Sequence, residues 1–275
     1  MPLPTGLIGV VHLPAVPGDP GHDGKSSFDD ALRFAVADAE ALVKGGVDGL
    51  IVENFGSAPF RKGTAGERVA PHQVAFLARV SAACRSKFDV PIGINCLRND
   101  APAAVGIAAA TEADFIRVNV HTGACVTDQG IIEGEAHHTL RYRSALGADD
   151  IAIVADVLVK HAAPLAEFGT EQLVADLVDR GGADAVVVTG KATGKPVDPP
   201  FVQQVRDAAG TAPVFVGSGV NRDNAEELAT EAHGAIVGTY FKEGGQIHNP
   251  VDPDRVEDIA TLVNGGFRRD SEPEE

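Results

Sequence analysis

The chain is short of cysteine, of basic residues and of long apolar runs, and each shortage excludes something. Its three cysteines, Cys84, Cys96 and Cys125, fall at unrelated spacings. That excludes a disulfide framework and the paired-cysteine motifs of zinc or redox sites, and it suits a reducing cytoplasm. No apolar run reaches the roughly 18 residues that a bilayer span needs. The opening MPLPTGLIGVVHLP lacks both a basic n-region and a small-residue cleavage site, so membrane insertion and secretion are not expected. Lysine and arginine total 23, only eight of them lysines, against 39 aspartates and glutamates, for a net charge of −16. A surface this acidic repels nucleic acid and anionic membranes. It is best solvated in concentrated salt, where self-repulsion is screened. The composition therefore predicts the acidic proteome of a halophile, with the protein in the cytoplasm.

What is present is regular alternation. Short apolar, β-branched runs at 7–12, 49–53, 91–95, 115–119, 151–156, 185–189, 214–217 and 235–238 read as strands of a parallel sheet buried on both faces. Between them lie amphipathic segments of helical period at 29–44, 71–88, 101–111, 135–146, 170–180, 200–209, 222–230 and 252–263. Thr170 and Asn221 read as N-caps. Gly-Val-Asp-Gly (46–49), Glu-Ala-Asp-Phe (112–115), Gly-Ala-Asp-Ala (182–185) and Ala-His-Gly-Ala (232–235) each join a helix to a strand. Tight turns there and longer polar segments after the strands mark a working face at the strand C-termini. Eight such units predict one α/β domain, a single (β/α)8 barrel over residues 1–267, with a polar tail over 268–275.

Polar residues ending barrel strands project into the mouth. They are His12, Glu53 with Asn54, Asn95, Arg117 with Asn119 and His121, Asp156, and Thr189. Asp156 closes the apolar run IAIVA, where partial desolvation would suit a general acid/base or a ribose-binding carboxylate, or it pairs structurally with Arg117 or Lys160. Glu53 is the second carboxylate. Two on separate strands would divide acid and base work, bind sugar hydroxyls or hold a divalent cation. His12 would polarise a carbonyl or bind metal, or be a hydrogen-bonded core residue. Arg117, Asn95 and Asn119 would orient substrate, and Lys160 would contact phosphate or be solvated. No histidine stands at metal-ligand spacing from a carboxylate, so a divalent cation has no support from spacing and the cofactor stays unknown.

The phosphate signal lies in VFVGSGVN (214–221), leading into a helix, and IVGTYF (236–241). In many barrels these last two loops bind phosphate through main-chain N–H groups, and glycine permits the close approach. Gly217, Ser218, Gly219, Asn221, Gly238 and Thr239 fit that role. The loop 189–195 adds Gly190, Thr193 and Gly194, at a spacing that is not a P-loop.

GVVHLPAVPGDP, DGLIVENFGSAPF, GINCLRND, FIRVNVHTGA, ADVLVKHA, VVVTGKATG and VGSGVN together resemble the BtpA/SgcQ family over about residues 6–265. The resemblance implies a TIM barrel of the ribulose-phosphate-binding type. One branch of the family is named for photosystem I biogenesis, and another is described as nucleosidase-like or acting on sugar phosphates. The barrel is also similar to phosphoribosylanthranilate isomerases, which place a cysteine after their first strand and an aspartate after their sixth. Here those places hold His12 and Thr189, which argues against the isomerase chemistry.

The expectation is an enzyme acting on a phosphorylated sugar or a nucleoside or nucleotide, by glycosidic cleavage or isomerisation. Its partner is a small phosphorylated substrate, neither nucleic acid nor a membrane, and a homo-oligomer stays open. The alternative is a non-catalytic assembly or stability factor for a membrane complex.

Overall fold

The computed structural model describes residues 3, 5–158, 162–190 and 197–267. Eight parallel strands close a barrel: β1 (Gly6–His12), β2 (Gly49–Glu53), β3 (Ile92–Asn95), β4 (Phe115–Val118), β7 (Ala152–Leu158), β9 (Ala185–Val188), β10 (Val214–Val216) and β11 (Gly234–Val237), with β11 returning to β1. Around them run α1 (Phe28–Lys44), α2 (Pro71–Lys87), α3 (Ala101–Thr111), α4 (Ala136–Ala145), α5 (Thr170–Ala175), α6 (Pro199–Ala209), α7 (Ala225–Glu231) and α8 (Pro253–Leu262). The strands are buried on both faces, as their unbroken Val/Ile/Leu runs require. Ile8, Val10, Ile51, Phe115, Val154, Val187, Phe215 and Ile236 fill the interior. A larger core lies between the strands and the helices.

The repeated helix-to-strand turns have a structural cause. Asp48, Asp114 and Asp184 accept main-chain N–H bonds from Leu7, Ile92 and Ile153 at 2.7 Å each. In the fourth turn His233 Nδ1 accepts from Val214 at 3.0 Å. Each turn thus ties down the start of the preceding barrel strand, at the face away from the mouth. Helix starts follow local rules too. Ser27 and Asp30 form a capping box on α1, and prolines stand in the first turn of α2, α3, α6 and α8.

Two details differ from the sequence reading. The N-caps of α5 and α7 are Gly169 and Asn224, not Thr170 and Asn221. Asn221 instead belongs to the turn before α7. The polar segment 120–134 also contains a hairpin, β5 (Ala124–Thr127) with β6 (Gly130–Glu133), and β8 (Ala162–Pro164) joins it in a three-stranded antiparallel sheet. This sheet grows from the segments after β4 and β7, at the mouth. Its pieces are three or four residues long and bury only Ile132 fully, too little pattern for a strand to stand out in sequence.

The long connection from β11 to α8 folds back over the mouth. Lys242, fully buried, donates from Nζ to Asp38 on α1, and Asp38 Oδ1 accepts the Val251 N–H at 2.8 Å. A buried ammonium–carboxylate pair with its remaining lone pair satisfied clamps this connection onto the barrel wall. Thr239 and Tyr240, just before Lys242, are positioned by it.

Candidate active site

The strand ends form one continuous row. The register pairs His12 with Glu53, Glu53 with Asn95, and Asn95 with Arg117, across β1, β2, β3 and β4. Register partners in a parallel sheet share a face, so these four side chains point the same way. Above the row lies a cavity of about 640 Å³, lined among others by His12, Glu53, Phe55, Arg98, Arg117, Asn119 and Asp128. His12 Nε2 lies 3.8 Å from Glu53 Oε1, both side chains close to nine-tenths buried. The Phe55 ring meets His12 edge-on at 5.2 Å between centroids.

A buried hydrogen-bonded network ties the Asn95 and Arg117 end of the row to Asn119 and Asp156. Arg117 donates from Nε to Asp156 Oδ1 at 3.0 Å and from Nη2 to Oδ2 at 3.2 Å. Asn119 Nδ2 donates to Asp156 Oδ2 at 2.9 Å, and Asn95 Nδ2 to Asn119 Oδ1 at 3.2 Å and to the Arg117 carbonyl at 3.1 Å. Burial works against the Arg117 charge. The charge and hydrogen bonds of Asp156 outweigh it and hold the guanidinium above its ordinary value. Asp156 is not among the residues lining the cavity, and its side chain has no exposed surface. It holds Arg117 and Asn119 in place, and it does not end its strand as the sequence reading had it, because β7 runs on to Leu158 and Asp156 sits in the buried interior of that strand.

The two glycine turns come together as one wall of the same cavity. Gly217, Ser218, Gly219, Val220 and Asn221 follow β10, Gly238, Thr239 and Tyr240 follow β11, and all line it. Among the described residues, the main-chain N–H groups of Ser218, Gly219, Val220 and Thr239 have no acceptor. The first turn is braced from behind. Asn224 accepts the Asn221 N–H at 2.8 Å and donates to the Gly219 carbonyl at 2.9 Å, and Ser218 Oγ accepts the Gly190 N–H at 3.0 Å. Glycine is required where these turns meet the strand-end row. A Cβ on Gly238 would lie 2.4 Å from His12 Cε1, and one on Gly217 would lie 2.3 Å from Val187 Cγ1 and 3.2 Å from Arg117 Nη2. Helix α7 begins beyond this wall and has seven residues with Glu226 and Glu227 in its first turn. The N–H groups without acceptors thus belong to the turns and not to this helix.

The remaining candidates lie elsewhere. Asn54 links the β2 and β3 loops, donating to the Leu97 carbonyl at 3.0 Å and accepting the Leu97 N–H at 2.6 Å. Thr189 donates to the Leu158 carbonyl at 2.6 Å. His121 donates from Nε2 to the Gly181 carbonyl at 2.8 Å, and burial pushes its imidazole below the ordinary value. It borders a separate groove with His137, Arg141 and Arg180, outside the barrel mouth. Lys160, Thr193 and Gly194 lie outside the described residues. Among the described residues no three His, Cys, Asp or Glu side chains gather as a metal-binding set.

Sequence reasoning passed over Arg98, Asp128, Tyr240 and Arg255. Arg98 stands three residues beyond the end of β3 and lines the cavity. Burial pulls its guanidinium below the ordinary value against the attraction of Asp156, Asp128 and Glu53. Arg255, from α8, lies 4.4 Å over the Tyr240 ring and donates to the Tyr240 carbonyl at 2.6 Å. The one signal in sequence was the polar run Arg98-Asn99-Asp100 in a strand-end loop.

Comparisons with known proteins come down on the same fold. The model of the BtpA family matches residues 4–265. The photosystem I biogenesis protein BtpA of Synechocystis is 44% identical over 262 residues, covering 95% of this chain and 89% of the relative. An uncharacterized protein of the archaeon Thermococcus kodakarensis is 45% identical over 257 residues, 94% of each. Among solved structures, N-(5'-phosphoribosyl)anthranilate isomerase from Pyrococcus furiosus superposes with a TM-score of 0.56 at 13% identity, over 95% of this chain and 99% of that one. At that identity the likeness speaks to the fold alone. Among the described residues no helix is long and apolar enough to cross a membrane.

Proposed function

This chain belongs to the BtpA family, and we propose that it is an enzyme acting on a phosphorylated sugar or a nucleoside phosphate at the C-terminal face of its barrel. One observation carries the reading. Two glycine turns with acceptor-free N–H groups and a His12–Glu53 pair border a single cavity. Main-chain N–H groups converging from neighbouring turns suit a phosphate without adding net charge. With phosphate on that wall, the sugar lies over the strand-end row. In cleavage Glu53 takes a proton from the water that attacks the anomeric carbon, and His12, 3.8 Å away, gives one to the leaving group as the glycosidic bond breaks. In isomerisation Glu53 takes the proton from the carbon beside the carbonyl and returns it to the former carbonyl carbon, while His12 protonates the carbonyl oxygen and takes the proton of the neighbouring hydroxyl. Arg117, locked by Asp156, presents fixed N–H donors to developing negative charge. Glycosidic cleavage and aldose–ketose isomerisation both use these parts.

The assembly-factor reading has the name of the Synechocystis relative in its favour. It also has an exposed apolar row on the small sheet, where Val126 pairs with Ile131. Against it, the polar strand ends and the glycine turns border one cavity, which a partner surface on the small sheet leaves unused.

The test is turnover. Purified protein incubated with a panel of sugar phosphates and nucleoside monophosphates is expected to convert at least one. Glu53→Gln should abolish conversion while leaving binding within about threefold. Full turnover by Glu53→Gln would overturn the assignment of Glu53. No binding of any phosphate compound would overturn the reading as a whole.

A further inference from the structure

Two phenylalanines stand on the wall of the main cavity without serving the core. Aromatic residues are only 5% of the chain, yet Phe55, Phe60 and Tyr240 all line this one cavity. Tyr240 has a structural place, packed on the larger core with Arg255 over its ring. Phe55 and Phe60 are half-buried and, among the described residues, belong to none of the hydrophobic clusters. A phenylalanine left partly in water gives up much of the stabilisation that burial would contribute. A ligand that covers these two rings recovers it.

The backbone that carries them is fixed. Phe55 opens a short helical turn, Phe55–Ser57, directly after β2. On one side of it Asn54 bonds to the main chain of Leu97, and on the other the Gly56 N–H donates to the Leu13 carbonyl at 2.8 Å. Next to Phe60, the Arg61 carbonyl accepts the Arg98 N–H at 3.1 Å. Rings on so fixed a backbone lose little freedom when a ligand settles on them. Their centroids lie 6.2 Å apart with the planes at 67°, so they form a corner. A flat ring laid parallel to one meets the other at the same steep angle. That gives one stacked and one edge-to-face contact, the two arrangements aromatic pairs prefer.

The order of strands places this corner relative to the glycine turns. β11, β1 and β2 are neighbours in the barrel. A Cβ on Gly238 would touch His12, so His12 abuts the turn after β11. His12 also meets Phe55 at 5.2 Å, and Phe55 meets Phe60. The glycine turn, the His12–Glu53 pair and the aromatic corner therefore follow one another along the rim. A ligand with phosphate on the turns and a flat ring in the corner places its linking group over His12 and Glu53.

We propose that Phe55 and Phe60 form a subsite for an aromatic ring, and that the cavity takes phosphate monoesters carrying such a ring, of which nucleoside monophosphates are the common kind, in preference to bare sugar phosphates. The proposal rests on the phosphate reading above and names the substrate class within it. The cavity of about 640 Å³ has room for a ligand of that size.

Calorimetric titration of the whole chain with ribose 5-phosphate, the common ribonucleoside monophosphates and their unphosphorylated nucleosides tests it. The tightest monophosphate should bind at least about tenfold better than ribose 5-phosphate, from which it differs by its base. Phe60→Ala, in a loop and outside the core, should weaken that nucleotide at least about fivefold and leave ribose 5-phosphate within about twofold. Phe60→Tyr keeps a ring and should restore the affinity, while Phe55→Leu keeps apolar bulk beside His12 and should still weaken the nucleotide. Nucleotides that bind no better than ribose 5-phosphate overturn the proposal, and so does an unchanged nucleotide affinity in Phe60→Ala. If no nucleotide binds better than its own nucleoside, the phosphate reading itself falls and takes the proposal with it. If nucleotides surpass their nucleosides but not ribose 5-phosphate, the proposal alone falls.

Discussion

Replacing Asp156 separates a positioning carboxylate from a catalytic one. Its two oxygens take three hydrogen bonds, two from Arg117 and one from Asn119, in a place with no exposed side-chain surface. Asp156→Ala leaves a guanidinium that is 95% buried without its counter-charge. Breaking one side of a buried pair costs about 3–5 kcal/mol, a large share of the roughly 5–15 kcal/mol that holds a domain folded. At roughly 2–4 °C per kcal/mol for chains of this order of size, melting should fall by about 6 °C or more. Asp156→Asn keeps a partner of the same shape and should lose less. Glu53→Gln, on the cavity wall, should stay within about 1 kcal/mol of wild type while losing turnover. Urea unfolding of the three variants measures this directly. If Asp156→Ala unfolds within 1 kcal/mol of wild type, Arg117 does not depend on it, and the account of the buried network is wrong.

Gly238→Ala places a methyl group 2.4 Å from His12 Cε1, so the imidazole must move. Turnover should fall at least tenfold with far-ultraviolet circular dichroism unchanged, and wild-type turnover would refute the close approach. His121 contributes a pH dependence. Its folded value is pushed below the ordinary 6.5 by burial, so the unfolded chain binds the extra proton first, and stability present above 6.5 is lost as pH falls below it. His121→Gln should flatten the stability profile between about pH 7 and 5, and an unchanged slope would contradict this. The net charge of −16 leads to a melting temperature that rises as potassium chloride goes from about 0.1 to about 2 M. Equal stability at both ends would remove the salt-adapted reading.

How much of this was legible in sequence depends on what each residue answers to. The barrel answers to local pattern. Eight β-branched runs with tight turns before them and longer polar segments after them fall where the eight strands lie, because burial on both faces leaves little choice of residue. His12, Glu53, Asn95 and Arg117 were legible as strand ends, and register alone puts them in one row. Which strand-end carboxylate faces the cavity was not legible. Glu53 and Asp156 both end apolar runs, and only the position of Arg117 across the sheet decides that Asp156 turns inward. His121 follows the same strand as Arg117 and Asn119, yet the chain leaves the mouth there and the ring meets Gly181 instead. Arg98 and Asp128 were missed for a different reason. They sit in loop and hairpin, where position is set by tertiary contacts and not by period.

The central claim is that the turns after β10 and β11 hold one phosphate within reach of His12 and Glu53. Crystals soaked in phosphate test it most directly. The account expects an anion within hydrogen-bonding distance of the main-chain N–H groups of Ser218 and Thr239, and its loss in a variant carrying Gly219→Pro. Phosphate bound only elsewhere, with this wall bare at saturating concentration, would contradict it.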